Sequence, residues 1–576
     1  MPKIITENDI EQGIIRLLTE PEMGYSHVNC MTAEPETLPD GSGRSSKKQV
    51  VLPEVLRNAL GRLNPEIPAQ VLDRVAADLF AGKGTFDMIP VNYECYMSVL
   101  NGIEVEFSRN GRQTRDKVRL VDFSPGHCDQ NDFTVVSQLW IQGQYGFRRP
   151  DLILYVNGLP LVFIELKNSD IKLKSAYDKN LTSYRQDIPN LFAFNQFCVL
   201  SNAVETRLGA FSADYNYFFE WLRNSETEKP DRQTIRQTGT SIEYLVHGLF
   251  RKEQLLDYIE NFILFSRNKG AITKIIAQNH QYLGVNNAID SFLHKEEKAG
   301  KLGVFWHTQG SGKSFSMVMF ARKINRKFPG NHTFLIVTDR DDLDGQIVKN
   351  FTRCGVIGTE EECRPKDSAQ LREYLQSNRG FIFTLIQKFR YDKGRSYPVL
   401  STRDDIIVMV DEAHRTQYKD LADNMRTGLP NANFIAFTGT PLLGSKKLTN
   451  QWFGDYVSEY NFAQSIEDGA TVPLFYSNRT PKVGLTNDFL DSDFAEIVEN
   501  ENLNDDEIKH LETLYAKELE VLKRDDRLDK IARHIVHHFR RRGCLGKGMV
   551  VSVDLAALAA VAFYRGMMRR IDGTME

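Results

Sequence analysis

The chain lacks most of what would mark a secreted, membrane-spanning or fibrous protein. Its seven cysteines (Cys30, Cys95, Cys128, Cys198, Cys354, Cys363 and Cys544) are odd in number and never form a C-x-x-C pair, so neither a disulfide framework nor a zinc ribbon is indicated. A reducing, cytoplasmic setting is expected. No apolar segment follows Met1-Pro2-Lys3, where Glu7, Asp9 and Glu11 stand instead, so the start does not read as a signal peptide. The longest apolar stretch, Met549 to Tyr564, contains Asp554 and falls short of the ~20 residues needed to cross a bilayer; no membrane association is expected. With 39 glycines and 20 prolines, the sequence is neither collagen-like nor of low complexity. Basic excess is absent too: 72 Lys and Arg face 76 Asp and Glu. That balance gives no sign of a uniformly basic surface, but a large protein can confine its basic residues to one channel.

What is present fits a soluble multidomain protein. A charged fraction of 26% and an apolar fraction of 41% in 576 residues predict three or four compact units at ~150 residues each. Ile10, Ile14, Leu17 and Leu18 have helical spacing behind a loose capping box at Thr6-Glu7-Asn8-Asp9. Strand-like segments dominate from about Glu104 to Leu200. A polar stretch, Asn224 to Ser241, reads as a connector at a boundary near residue 250. Beyond it, Gly303–Trp306, Phe334–Thr338, Gly380–Thr384, Ile406–Val410 and Phe434–Phe437 are short apolar runs without alternation, as expected of parallel strands covered on both faces. A second lobe is expected after Asp455, interrupted by a charged helical stretch from Asn500 to Arg542. The expected organisation is α/β and multidomain, divided into residues 1–250, 251–462 and 463–576.

Thr308-Gln309-Gly310-Ser311-Gly312-Lys313-Ser314 follows one of these strands and precedes an apolar helix. Glycines at 310 and 312 let backbone N–H groups curl around a phosphate, and the helix N-terminus adds its dipole. Lys313 would reach the β- and γ-phosphates of ATP and Ser314 would ligate Mg²⁺. His307 stands where the simplest form of this motif has its first glycine. A glycine-rich turn without a ligand is the alternative. Against it stands Asp411-Glu412-Ala413-His414, at the end of a buried strand, where Asp411 would hold Mg²⁺ through water and Glu412 would orient and deprotonate the attacking water.

Together these motifs resemble helicase superfamily two, which implies RecA-like lobes and an ATP site that includes His414. Gln281, in Asn279-His280-Gln281-Tyr282, resembles the adenine-reading glutamine. Thr338-Asp339-Arg340 looks like the element that grips the DNA backbone. Thr438-Gly439-Thr440-Pro441 resembles the motif coupling hydrolysis to lobe movement.

In the first third, Arg149 to Lys167 reads as two strands around Asn157-Gly158. Pairing positions whose numbers sum to about 316 sets Asp151 opposite Glu165, and Lys167 shares a sheet face with Glu165. Two carboxylates and an amine at one spot suit metal-assisted phosphodiester cleavage, with Asp151 and Glu165 holding Mg²⁺ and Lys167 positioning or activating water. An exposed edge hairpin with a harmless Glu/Lys ion pair is the alternative.

With Pro150 before it, this pattern resembles the PD-(D/E)xK nucleases. Followed by a superfamily-two motor, it resembles the R (restriction) subunit of type I restriction-modification enzymes. The resemblance implies ATP-dependent translocation along double-stranded DNA, double-strand cleavage away from a recognition site, and partnership with methyltransferase (M) and specificity (S) subunits. It also carries over Tyr184 as a site residue, on a helix where Asn180 stands in place of the family's glutamine. The resemblance offers Glu11 as an extra amino-terminal acid of the site, but a solvated helix face explains it better and it is left out of the site. Arg148, Arg149, Lys172, Lys174 and Lys179 could neutralise DNA phosphates.

Lys547 to Asp554 resembles a strand of the second motor lobe, and no arginine motif of that lobe is found before Glu576. The expectation is therefore an incomplete second lobe and ATP binding with poor hydrolysis by this chain alone. The competing readings are a catalytically incomplete assembly or DNA-binding remnant, and a stand-alone nuclease-helicase of repair or defence. A type III restriction subunit would carry its nuclease after the motor.

Overall fold

A computed structural model describes residues 4–81, 87–109, 111–339, 341–390, 397–411, 418–439, 452–473 and 525–541, with residues 549 and 551. Met1–Val472 form one compact unit and Pro473–Glu576 a second. In the second, the described element is the helix Asp525–Arg541, inside the stretch read as charged and helical. The strand expected around Lys547 to Asp554 lies largely outside the described residues.

The chain enters through α1 (Glu7–Thr19), whose start is the expected capping box: Thr6 Oγ1 accepts from the Asp9 N–H and Asp9 accepts from the Thr6 N–H. Seven strands then form a mixed sheet in sequential order: β1 (Ser26–Asn29), β2 (Phe133–Ser137), β3 (Leu152–Val156), β4 (Leu159–Leu166), β5 (Phe197–Ser201), β6 (Thr206–Gly209) and β7 (Phe219–Glu220). Pairing is parallel at β1/β2 and β4/β5 and antiparallel elsewhere. Every residue of β3, β4 and β5 is buried, so the hairpin is the centre of the sheet, not an exposed edge.

The register of that hairpin is set locally. Asn157 (φ 51°) and Gly158 (φ 79°) both adopt positive φ, the signature of a type I′ turn. Leu152 opposes Ile164 and Leu154 opposes Val162, as the numbering sum requires, with a slip of one residue nearer the turn. At Gly158 a side chain is barred twice, by its φ and by the Leu52 carbonyl oxygen, 2.6 Å from where a Cβ would sit. After β4 the chain makes a π-helical turn, Ala176–Leu181, into α2 (Thr182–Asp187).

The polar stretch from Asn224 to Ser241 is not a loose connector. Asp231 caps a helix at Arg232–Thr238. Arg223 pairs with Asp468 at 2.9 Å, and Arg232 pairs with Asp468 at 2.6 Å and with Glu220. Ion pairs do the fastening there.

Next come α3 (Lys252–Asn261), a hairpin (Ile263–Asn268 with Ala271–Ile276) and α4 (Asn279–Leu293). The second sheet contains β8 (Lys301–His307), β9 (Thr333–Thr338), β10 (Phe381–Leu385), β11 (Ile406–Asp411), β12 (Asn433–Thr438) and β13 (Tyr456–Tyr460), with α5 (Lys313–Lys327) after β8. All pairings are parallel, in the order β10-β9-β11-β12-β8-β13. Five strands match the apolar runs in the sequence. The sixth corrects the reading that a new lobe starts after Asp455: Tyr456–Tyr460 pairs with β8 and closes the edge of the first sheet. Its mixed Tyr-Val-Ser-Glu-Tyr composition hides it, because only part of an edge strand is covered.

One apolar core runs from Ile10 on α1 and Phe163 in the first sheet through Phe262 to Met317 on α5 and Phe437 in the second sheet. The far end of α5 is fastened to the first sheet's side of the molecule. Arg322 donates to the Ile263 carbonyl (2.7 Å) and the Tyr96 hydroxyl (2.9 Å), and Arg326 and Lys327 pair with buried Glu260 on α3. Fully buried Lys274 donates to Asn92 Oδ1 (2.9 Å) and the Asn195 carbonyl (2.6 Å), tying the hairpin to the same region.

Candidate active sites

At the open end of the β3–β4 hairpin, Asp151, Glu165, Lys167 and Tyr184 come together as the sequence predicts. Asp151 Oδ2 accepts from the Leu166 N–H at 2.7 Å, so the strand pairing continues through a side chain. Lys167 Nζ donates to Glu165 Oε1 at 2.9 Å and to the Leu166 carbonyl at 2.6 Å. Glu165 is 2% exposed, and the Tyr184 hydroxyl stands close enough to its carboxylate to interact with it. Tyr184 packs edge-on against Phe163 and donates to the Arg149 carbonyl at 3.3 Å. Asn180 hydrogen-bonds Tyr184, consistent with a shared helix face across one turn.

Burial dominates the electrostatics. It pushes Glu165 up to about 8, with the Asp151 charge adding to the effect and Lys167 opposing it. Asp151 rises to about 6, chiefly from burial, against the hydrogen bond from Leu166. Burial pulls Lys167 down, but the Glu165 carboxylate more than offsets this and the ammonium is held above its usual range. Burial and the neighbouring carboxylates raise the Tyr184 phenol.

Two acids left out of the sequence assignment stand beside this group. Glu11 is buried rather than solvated: it accepts from Gln138 Nε2, its carboxyl is raised by burial, and its charge is felt by Asp151. Glu7 reaches Lys167 at 3.7 Å. The available signal was phase, because Glu11 falls on the helix row of Ile15 and Leu18 and so faces inward with them.

Buried acidic oxygens are suitable hard donors for Mg²⁺. Among the described residues no group of three or more His, Cys, Asp or Glu is arranged to cage a metal by itself. Mg²⁺ is usually held by one or two carboxylates and keeps several waters. Of the basic residues near this site, Arg148 pairs with Asp187 (2.6 Å), Arg149 lies over Trp140, and Lys174 pairs with Asp178 (2.9 Å).

The second site lies at the carboxyl ends of the parallel strands, where α/β sheets bind ligands. Gly310 (φ 83°) and Gly312 (φ 82°) turn the loop from β8 into α5, and the space beside Gly310 is open. Lys313 Nζ lies over this loop, donating to the His307 carbonyl (3.1 Å) and the Thr308 carbonyl (3.4 Å). Half-buried Ser314 is in the first turn of α5. Asp411 ends β11 in register with Phe437 of β12, and Thr438 is in register with Trp306 of β8. Gly439 reaches the loop itself: a Cβ there would stand 3.2 Å from Lys313 Nζ and 3.0 Å from Gln309 Cγ. Gln281 donates to the Gly312 carbonyl (3.0 Å) and accepts from the Gln278 N–H (2.9 Å). His280 meets the Ser311 carbonyl at 3.0 Å and stacks on Tyr460 at 3.8 Å. Thr308, Gln309, Gly310, Ser311, Gly312, Lys313, Ser314, Gln281, Asp411, Thr438 and Gly439 are therefore assembled at one end of the sheet. Glu412, His414 and Thr440 lie outside the described residues, as does Arg340.

A buried acidic hairpin in a mixed sheet, followed by a parallel sheet bearing a phosphate-loop lysine and a strand-end aspartate, defines a nuclease-type domain joined to a RecA-like, helicase-type ATPase lobe. More particularly, the chain is related along nearly its whole length to the endonuclease subunits of type I restriction enzymes. Residues 4–217 match the family "Type I restriction enzyme R protein N terminus" and residues 280–508 match "SWI2/SNF2 ATPase". The chain is 37% identical to the type I restriction enzyme HindI endonuclease subunit of Haemophilus influenzae, over 94% of this chain and 52% of that one. It is 32% identical to the putative type I restriction enzyme MjaIXP endonuclease subunit of Methanocaldococcus jannaschii, over 97% and 54%. The chain thus spans about half the length of these curated relatives. A solved nuclease-deletion mutant of the type ISP restriction-modification enzyme LlaGI, in complex with a DNA substrate mimic, is 15% identical over 51% of this chain and 26% of that one, with a TM-score of 0.26. No helix among the described residues is long and apolar enough to cross a membrane.

Proposed function

We propose that this chain provides the nuclease and the first motor lobe of a type I restriction enzyme, which moves along double-stranded DNA at the expense of ATP and cuts both strands away from the recognition site. The observation that carries this reading is the pairing of Asp151 and Glu165 beside Lys167 on a buried hairpin, in one compact unit with the phosphate loop. Asp151 and Glu165 would hold Mg²⁺, which when bound polarises the scissile phosphate and acidifies a water. Lys167 and Tyr184 orient groups at the site, Lys167 through its ammonium and Tyr184 through its hydroxyl. Arg148, Arg149, Lys172, Lys174 and Lys179 meet the DNA backbone and carry no sequence information, which leaves target choice to an S subunit acting with an M subunit.

At the other site Lys313 and the loop from Thr308 to Gly312 bind the ATP phosphates, Ser314 and Asp411 hold Mg²⁺, and Gln281 reads the adenine. Glu412 prepares the attacking water, His414 completes the site, and Thr438, Gly439 and Thr440 couple hydrolysis to lobe movement. The division of labour is residues 1–250 for the nuclease, 251–462 for the first lobe and 463–576 for part of the second, in the cytoplasm. The test is Mg²⁺-dependent cleavage of DNA by the chain joined to its M and S subunits. Cleavage should disappear in Asp151→Ala, and cleavage that survives this change refutes the assignment.

A further inference from the structure

Beneath the phosphate loop a line of side chains leads away from the nucleotide site to the polar stretch after β7. His307, the last residue of β8 and fully buried, has Nε2 2.6 Å from Ser458 Oγ on β13. Ser458 Oγ in turn donates to Glu226 Oε1, and Glu226 Oε2 accepts from the Glu459 N–H at 3.1 Å. The direction of this line follows from chemistry. A carboxylate only accepts, so the Ser458 proton points at Glu226 and the Ser458 oxygen must accept from His307. His307 is therefore the neutral tautomer protonated on Nε2. Burial and the nearby Lys313 ammonium favour the same neutral form.

The line ends where nucleotide binding begins, because Lys313 Nζ donates to the His307 carbonyl. Its other end is fixed as well. Arg223 and Arg232 anchor the segment bearing Glu226 to Asp468, and Asn279 exchanges hydrogen bonds with the Arg223 backbone in both directions. Ser458 has little room to turn elsewhere, since a Cβ on Gly284 of α4 would stand 2.5 Å from its Oγ.

We propose that Glu226 is a positioning residue of the nucleotide site: through Ser458 it fixes the tautomer and orientation of His307, and with them the carbonyl against which Lys313 rests. This inference rests on the reading of the phosphate loop as an ATP site. It assigns a role in that site to the segment between the two sheets, which carries no phosphate-binding motif.

The experiment measures the affinity of the whole chain for a fluorescent ATP analogue, alongside its thermal unfolding. Glu226→Ala should weaken binding about tenfold, the scale of one hydrogen bond to a charged group, with an unchanged melting temperature. Glu226→Gln keeps an oxygen for Ser458 and should recover most of the loss. Ser458→Ala should match Glu226→Ala, and the double variant should be no worse than either alone, as expected of residues acting in series. Affinity within twofold of wild type in Glu226→Ala, additive losses in the double variant, or a melting temperature that falls in step with affinity would each overturn the proposal. Lys313→Ala separates the two levels: if it binds the analogue normally, the ATP-site reading fails and this inference with it.

Discussion

Metal binding at the nuclease hairpin should be strongly linked to proton release. A carboxylate must ionise before it can bind a cation. With Glu165 raised to about 8, ionising it at pH 6 costs about 3 kcal/mol, against almost nothing at pH 9. The apparent dissociation constant for Mg²⁺ or Mn²⁺ should therefore fall about a hundredfold between pH 6 and pH 9, and Asp151, at about 6, adds roughly another factor of two at the acid end. At pH 7 Glu165 is about nine-tenths protonated in the metal-free protein, so close to one proton should leave per ion bound. Isothermal titration calorimetry in buffers of different ionisation enthalpy reads both quantities, and Asp151→Asn identifies the heat that belongs to this site. Glu165→Gln should bind more weakly and lose most of the pH dependence. A dissociation constant constant within twofold from pH 6 to pH 9, with no buffer-dependent heat, would show that burial does not govern this carboxylate.

Lys313→Ala should abolish ATP binding in calorimetry with the fold intact by circular dichroism; undiminished affinity would refute the phosphate-loop assignment. Glu11→Gln removes a negative charge felt by Asp151, so the acid limb of the metal-binding profile should move to lower pH, and an unmoved limb would contradict the placement of Glu11 in the site. Gly158→Ala combines an unfavourable φ with a clash at the Leu52 carbonyl and should destabilise the first sheet by about 2 kcal/mol or more, seen as a lower urea midpoint. Burial lowers Lys274 to about 7, so the folded protein binds fewer protons than the unfolded chain between about pH 7 and 10. The stability of wild type relative to Lys274→Met should accordingly rise with pH across that window, by up to about 1.4 kcal/mol per unit, and a flat difference would refute it.

What could be read in the sequence was what is decided within a few residues. The Asn157-Gly158 turn fixes its own register, and that register alone brings Asp151 to Glu165. The five apolar runs declare themselves as strands because both faces of each are covered. Interactions across long separations were harder to see. Glu11 meets Gln138 only because α1 packs across the sheet, and as one acid on an amphipathic helix it looked solvated. Tyr456–Tyr460 finds its partner in β8, some 150 positions earlier, and its edge position leaves no apolar run to reveal it. The stretch from Asn224 to Ser241 looked like a spacer because its contacts are ion pairs and hydrogen bonds. Such contacts depend on where the partner charges stand, and composition does not record that.

The unbroken core between the two sheets bears on how proteins of this kind can be reshaped. A fragment ending near residue 250 would strip α3 from the helix Ser241–Leu249 and would leave Tyr96 without Arg322 of α5. Exchanging the cutting head for another is therefore not a matter of joining two genes at a linker. Arg322, Arg326 and Lys327 also reach the Tyr96 hydroxyl and the Leu100 and Phe123 carbonyls, so an incoming domain would have to bring matching seats for them, and head and lobe should change in concert or not at all.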